Sequence, residues 1–194
     1  MTRKANVIRN TNETQIQLEL SLDGNGVFDI ATGVGFFDHM LSQVAHHGRL
    51  DLKLRATGDL HIDEHHLVED VGICLGRAIA ESLGDKLGIE RFGTGYVAMD
   101  EALARTIIDM SGRSYLVFHA EFSREVINGF ALEMVKEFFQ AVAMEAKMNL
   151  HVALLYGDNA HHQTEAIFKS FGRALREAVR QTGGTTVPST KGVL

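Results

Sequence analysis

A short pattern written twice constrains this chain more than anything else in it. His65-His66 followed by Glu69 returns 96 residues later as His161-His162 followed by Glu165, and Gly76-Arg77-Ala78 returns at the same distance as Gly172-Arg173-Ala174. A repeat that keeps metal-type donors and small helix-packing residues in one register implies two copies of one folding unit. Apolar residues at helical intervals place both copies on helices: Val71, Leu75 and Ala78 in one, Ile167, Phe171 and Ala174 in the other. On such a helix His65 and Glu69 are neighbours four apart, and His66 and Glu69 three apart, with Cβ atoms about 5–6 Å from each other. An imidazole and a carboxylate so placed can grip one cation. The adjoining His points about 100° further round and so serves a different ion or a different face. A plain helix N-terminus with Asp63 as its cap would account for one copy. It does not account for two in register.

The rest of the chain reads as matching halves. In the first, Gln15 to Leu20 alternates as a half-buried strand. Asp23-Gly24-Asn25-Gly26 signals a hairpin turn into a strand near Val27 to Ile30. A helix over about 36–47, a strand over 50–56 and a helix over 63–83 follow, the last closed by Gly84 and Gly88. The second half is expected to place strands near 94–99, 103–110 and 114–121, a helix over 129–147, a strand over 149–156 and a helix over 161–181. The fold class is therefore α+β: a duplicated strands-helix-strand-helix unit forming two β-sheets with the helices packed between them. The boundaries expected are residues 1–92 for the first half, 93–181 for the second, and 182–194 for a flexible tail carrying Gly183-Gly184 and the single proline, Pro188.

Composition narrows the function. A net charge of −6 gives no basic field and argues against nucleic acid as partner. No run approaches the roughly 18 apolar residues of a membrane span, and no signal segment opens the chain, so a cytoplasmic protein is expected. The single cysteine, Cys74, falls on the apolar side of the first motif helix and reads as a buried thiol.

Other residues can carry chemistry. His151 opens the strand that leads to the second doublet, which puts it within possible reach of His161-His162, and His39 lies on the first helix. A lone His is more often a hydrogen-bonded structural residue, so spacing alone leaves both open. Glu13 precedes a strand and is by default a solvated charge. Arg91 and Arg113 stand beside glycine turns, where a forked guanidinium suits phosphate or carboxylate, although a surface ion pair is the commoner use. Ser189-Thr190-Lys191 offers two hydroxyls and an ammonium, again suited to an anion.

Five segments together resemble a known family. They are Thr32-Gly33-Val34-Gly35-Phe36-Phe37-Asp38-His39-Met40-Leu41, Gly58-Asp59-Leu60-His61-Ile62-Asp63-Glu64-His65-His66, Met99-Asp100-Glu101-Ala102-Leu103, Gly157-Asp158-Asn159-Ala160-His161-His162 and the Ser189-Thr190-Lys191 tail. In this order they look like imidazoleglycerol-phosphate dehydratase of histidine biosynthesis, in the monofunctional form. The resemblance implies halves of the ribosomal protein S5 domain 2-like type. It implies two manganese ions per active site and a 24-subunit shell with active sites between subunits. The metal ligands it implies are His39, His65, His66, Glu69, His151, His161, His162 and Glu165, which adds His39 and His151 to the six from the repeat. It also implies substrate contacts from Glu13, His39, His47, His65, Glu69, Arg91, Arg113, Ser189, Thr190 and Lys191, with Glu13, His65 and Glu165 as catalytic residues. Imidazole and carboxylate donors without thiolate suit manganese or iron, and their type also admits zinc. Three positions depart from the family's common pattern: Glu64 for Asp, Ala98 for Pro and Thr190 for Ser.

The reaction implied is loss of water from imidazoleglycerol phosphate to give imidazoleacetol phosphate. The proton removed is not next to a carbonyl and is hardly acidic. Two metals on the ring nitrogens are expected to hold the ring as imidazolate, which expels the hydroxyl and gives a diazafulvene-like intermediate whose neighbouring C–H Glu13 can deprotonate. Two other readings of the donors stand beside this one. A dinuclear metallohydrolase of phosphate esters would want more carboxylates than two among eight ligands. The other is a metal-storage or structural shell in which the ions only join subunits.

Overall fold

The computed structural model describes residues 3–194. In chain order the elements are β1 (Lys4–Asn10), β2 (Thr14–Ser21), β3 (Phe28–Ala31), α1 (Gly35–Gly48), β4 (Asp51–Gly58), α2 (His65–Leu83), β5 (Phe92–Met99), β6 (Ala102–Asp109), β7 (Tyr115–His119), β8 (Val126–Ile127), β9 (Phe130–Ala131), α3 (Met134–Ala146), β10 (Asn149–Tyr156) and α4 (Ala160–Ala178). Two four-stranded sheets form, ordered β1-β2-β4-β3 and β5-β6-β10-β7. Each is a hairpin, then an antiparallel third strand, then a parallel edge strand. The α+β class and the duplication are both present at the level of topology.

Period-two alternation decides which face of each sheet is covered. Ile16, Leu18 and Leu20 of β2 and Leu52 and Leu54 of β4 are buried, while Gln17, Glu19, Lys53 and Arg55 between them face solvent. The helices lie against the buried faces, and they do so reciprocally. α1 and α2 rest on the first sheet and α3 and α4 on the second, but α1 packs on α4 and α2 on α3. Four layers result, sheet, helices, helices, sheet, and each half covers the apolar helix faces of the other.

The glycines of the repeated Gly-Arg-Ala explain how close this approach is. A Cβ at Gly172 would lie 2.8 Å from the Val44 carbonyl oxygen and 3.1 Å from the Gly48 nitrogen; at Gly76 it would lie 2.8 Å from the Val142 carbonyl oxygen. Replacing Gly172 with alanine should improve helix propensity by up to about 1 kcal/mol. Overpacking against the α1 backbone costs about 1–3 kcal/mol and outweighs it. The expected result is a lower Tm, by about 2–4 °C per kcal/mol lost. An unchanged or raised Tm on thermal unfolding would mean that α1 and α4 are not locked at this contact.

Three expectations need correction. The turn at Asp23–Gly26 is not a hairpin, because β3 crosses to pair in parallel with β4. Asp51 draws the chain across by accepting from the Asn25 and Val27 amides at 2.8 and 3.1 Å. The true hairpin partner of β2 is β1, whose pattern does not alternate cleanly because it is an edge strand with only Val7 fully buried. The helix expected from 129 begins at Met134, since Asn128-Gly129, both at positive φ, turn a small hairpin between β8 and β9. The tail is tethered: Thr182 and Gly88 bond through N–H and carbonyl, Gly88 donates to Thr186, and Arg91 reaches the Pro188 carbonyl. Cys74 is buried as expected, and burial pushes its thiol up to about 11.

Candidate metal centre and active site

The tightest group of donors sits where α1 crosses α4. His161 and Glu165 are four apart at the start of α4, and the α1–α4 contact brings His39 onto them. His39 Nε2 and His161 Nε2 both approach Glu165 Oε2, at 3.0 and 2.9 Å. The other carboxylate oxygen pairs with Lys169 Nζ at 2.6 Å, one turn further along. Phe36 supports the His161 ring edge-on at 5.3 Å and itself packs on Phe130. Burial pushes the Glu165 carboxyl up, but hydrogen bonds from Lys169, His39 and His161 outweigh it and hold the group below the ordinary carboxylate range. An ionised carboxylate and two imidazole nitrogens, with ligand atoms all within 4.8 Å of one another, fit a divalent metal cation.

The second His of each doublet follows a rule of its own. His66 Nδ1 meets Asp59 at 3.0 Å, and His162 Nδ1 meets Glu101 at 2.7 Å. A carboxylate on Nδ1 fixes the ring and leaves Nε2 outward as a donor, the usual support of a metal-bound His. The rings of each doublet stand alike, 6.2 Å and 78° apart in one copy and 6.3 Å and 80° in the other. The loops that launch them match too: Asp63 accepts from the His65 amide and Asn159 from the His161 amide, both at 2.9 Å. Asp63 is not the cap expected of it: Glu64 holds that position, and Asp63 accepts the His65 amide from one residue outside it. Hydrogen bonding to Asp59 raises the His66 pKa and hydrogen bonding to Glu101 raises that of His162; Glu101 in turn falls to about 2. A cation therefore competes with protons for these two rings, and loses ground as pH falls.

Three sequence-derived ligands are not gathered with the others within one chain. His65 and Glu69 lie exposed on α2. His151 does not reach the second doublet within one chain. It alternates with buried Leu150 and Val152 on β10 and so occupies the sheet face turned away from the helices. Glu13 lies on the β1–β2 turn with its carboxylate 3.8 Å from His66 Nδ1, forming a second donor group with His66 and Asp59. That turn lines a hollow of about 270 Å³ together with Asp59 and His61. A larger hollow of about 730 Å³, on the outer face of the first sheet, holds none of these donors. His47 is half-buried, and burial with Lys169 nearby lowers its pKa.

The anion-type residues collect along the tail. Arg91 pairs with Asp109 at 2.8 Å and donates to the Pro188 carbonyl at 2.9 Å, next to Ser189. Ser189 Oγ accepts from the Lys191 amide at 3.2 Å. Thr190, Lys191 and Arg113 are exposed.

Asp59, Glu101 and Lys169 are site residues that the sequence reading did not single out. Lys169 had a signal, four residues after Glu165 on a helix. Asp59 and Glu101 lay inside quoted motifs without a role.

Comparison with known proteins bears on this geometry. Residues 32–175 match the family model described as imidazoleglycerol-phosphate dehydratase. The enzyme of that name from Streptococcus mutans is 56% identical over 98% of this chain and 96% of its own length. That from Methanosarcina mazei is 54% identical over 99% and 100%. Among solved structures, imidazoleglycerol-phosphate dehydratase from Staphylococcus aureus superposes with a TM-score of 0.83 at 42% identity, covering 92% of this chain and 99% of that one. IGPD from Pyrococcus furiosus gives 0.84 at 38% identity, covering 97% and 100%.

Proposed function

The chain belongs to the imidazoleglycerol-phosphate dehydratase family, and from that membership we propose how its residues carry out the reaction. It is an enzyme of histidine biosynthesis, a lyase that dehydrates imidazoleglycerol phosphate. The metal ligands in this reading are His39, His65, His66, Glu69, His151, His161, His162 and Glu165. When bound, two manganese ions supply Lewis acidity to the nitrogens of the substrate ring. Glu13 would take the proton from the carbon beside the one that loses hydroxyl, so that water leaves in total and the resulting enol becomes the ketone. His65 and Glu165, each on a motif helix, complete the catalytic set with Glu13. Arg91, Arg113, Ser189, Thr190 and Lys191 bind the phosphate and position the glycerol chain, with His47 close by. Asp59 and Glu101 hold His66 and His162 in orientation.

The observation that carries this reading is the convergence of His39, His161 and Glu165 on one point inside a single chain. The outward placement of His65, Glu69 and His151 supports completion of each site by neighbouring copies, in a 24-subunit shell. Residues 1–92 and 93–181 are the proposed repeat units, with 182–194 closing over the substrate. Among the described residues no helix is long and apolar enough to cross a membrane. A phosphorylated substrate does not diffuse through a bilayer, and the cytoplasm is the proposed location.

The test is to strip the protein with a chelator, restore manganese stepwise, and follow loss of imidazoleglycerol phosphate together with metal content and particle size. Turnover should return with about two ions per chain, in a large particle, with protons released as His66 and His162 take up metal. Full turnover by metal-free protein, or release of inorganic phosphate in place of dehydration, would overturn the reading.

A further inference from the structure

A line of hydrogen bonds ties the Glu13 turn to α2. Thr14 Oγ1 donates to Asp70 Oδ2 at 2.5 Å, and Asp70 Oδ1 receives Arg9 at 2.8 Å. With its proton committed, Thr14 Oγ1 accepts from Thr11 Oγ1 at 3.1 Å. Thr11 Oγ1 in turn accepts from the backbone N–H of Glu13 at 3.1 Å and of Thr14 at 2.9 Å. The line begins in the interior, where Asp70 is 6% and Thr14 2% exposed, and ends at the amide of the residue whose carboxylate faces His66. His66 and Asp70 are four apart on α2 and share one face of it. One helical turn therefore holds both the imidazole and the anchor of the carboxylate beside it.

The duplication provides an internal control. β6 begins at Ala102 where β2 begins at Thr14, and 96 residues after Asp70 stands Ala166. The second unit closes the same corner with two alanines, so folding of the unit does not require the polar set. That set also costs stability: a carboxylate is desolvated, and Arg9 Nε is buried with no partner. The matching loop carboxylate, Glu101, is immobilised differently, by the Asp158 and Asn159 amides and by His162. The polar anchor occurs only beneath the carboxylate that is left exposed for chemistry.

The geometry points to Asp70, Thr14 and Thr11 as positioning residues for Glu13, fixing its backbone so that the carboxylate reaches the substrate carbon at a set distance from His66. This rests on the assignment of Glu13 as the base. The variants T14V, T11V and T14S are compared with E13Q and with the double variants. T14V and T11V should each lower kcat about 10–100-fold with KM little changed, because small misplacement of a reacting group has effects of that size. T14S keeps the hydroxyl and should keep kcat, although its missing methyl lowers Tm. Neither T14V nor T11V should slow E13Q further. In metal-free protein, amide exchange at Glu13 should accelerate in T14V and T11V and not in T14S. If T14V fails to fold, T11V carries the test, since it leaves the Thr14–Asp70 bond in place. Wild-type kcat in the folded Val variants, or losses that multiply with E13Q, would overturn the inference. Wild-type turnover of E13Q would instead remove the base assignment beneath it.

Discussion

With glutamine at position 165, metal content and turnover are expected to fall together, by more than the roughly 10–100-fold that loss of a supporting hydrogen bond costs a metal site. Glu165 Oε2 is the atom on which His39 and His161 both converge, at 3.0 and 2.9 Å, and Oε1 is held by Lys169 at 2.6 Å. An amide offers no anionic donor to a cation. At a position only 5% exposed it also leaves the Lys169 ammonium without its counter-charge. The pH dependence has a definite sign in metal-free protein. Because the Glu165 carboxyl is held low, its contribution to folding is complete above the ordinary carboxylate range and is lost as pH falls through the depressed value. The E165Q variant should lack that part of the acid limb. Elemental analysis and steady-state turnover check the main result, and a variant that keeps wild-type metal content would take Glu165 out of the ligand set.

Replacing Glu13 by glutamine is expected to act in the opposite way, lowering kcat about 10²–10⁴-fold with metal content and Tm unchanged. Its carboxylate is 55% exposed on a turn, and the imidazole it faces, through His66 Nδ1, is already engaged by Asp59 at 3.0 Å. Little of the fold depends on its charge. In the proposed mechanism, what glutamine removes is the basic oxygen that takes the weakly acidic C–H proton. The contrast between the two variants separates holding metal from moving a proton. Wild-type turnover in E13Q, measured on protein with full metal content, would show that another group takes the proton.

Much of this was legible in the chain. The motif helices and central strands followed from periodicity, since β2, β4 and β6 each bury every second residue. The repeat singles out six candidate donors, of which His66, His161 and Glu165 fall in donor groups within one chain. Periodicity says which face of a helix is apolar but not which helix will cover it, so the exchange of α1 onto α4 was invisible. That exchange is what carries His39 to Glu165, 126 residues away. The same limit hid Glu101, which reaches His162 across 61 residues. Edge strands and short hairpins, β1 and β8–β9, were missed because they bury too little to impose a pattern. His151 shows the converse: its place in sequence suggested proximity to the second doublet, but the pleat of β10 turns it to the other side.

The reciprocal seating of the helices has an evolutionary consequence. A protein of half this length could pair with an identical twin about a two-fold axis, each lending its partner the same cover, and every mutation would then appear twice. Joining the twins in one polypeptide ends that obligation. One lobe can keep a carboxylate loose and braced from below, as at Glu13, while its sibling spends the equivalent carboxylate, Glu101, on stiffening a loop. On the proposed role of Glu13, broken symmetry between two lobes of one topology divides acid–base work from scaffolding.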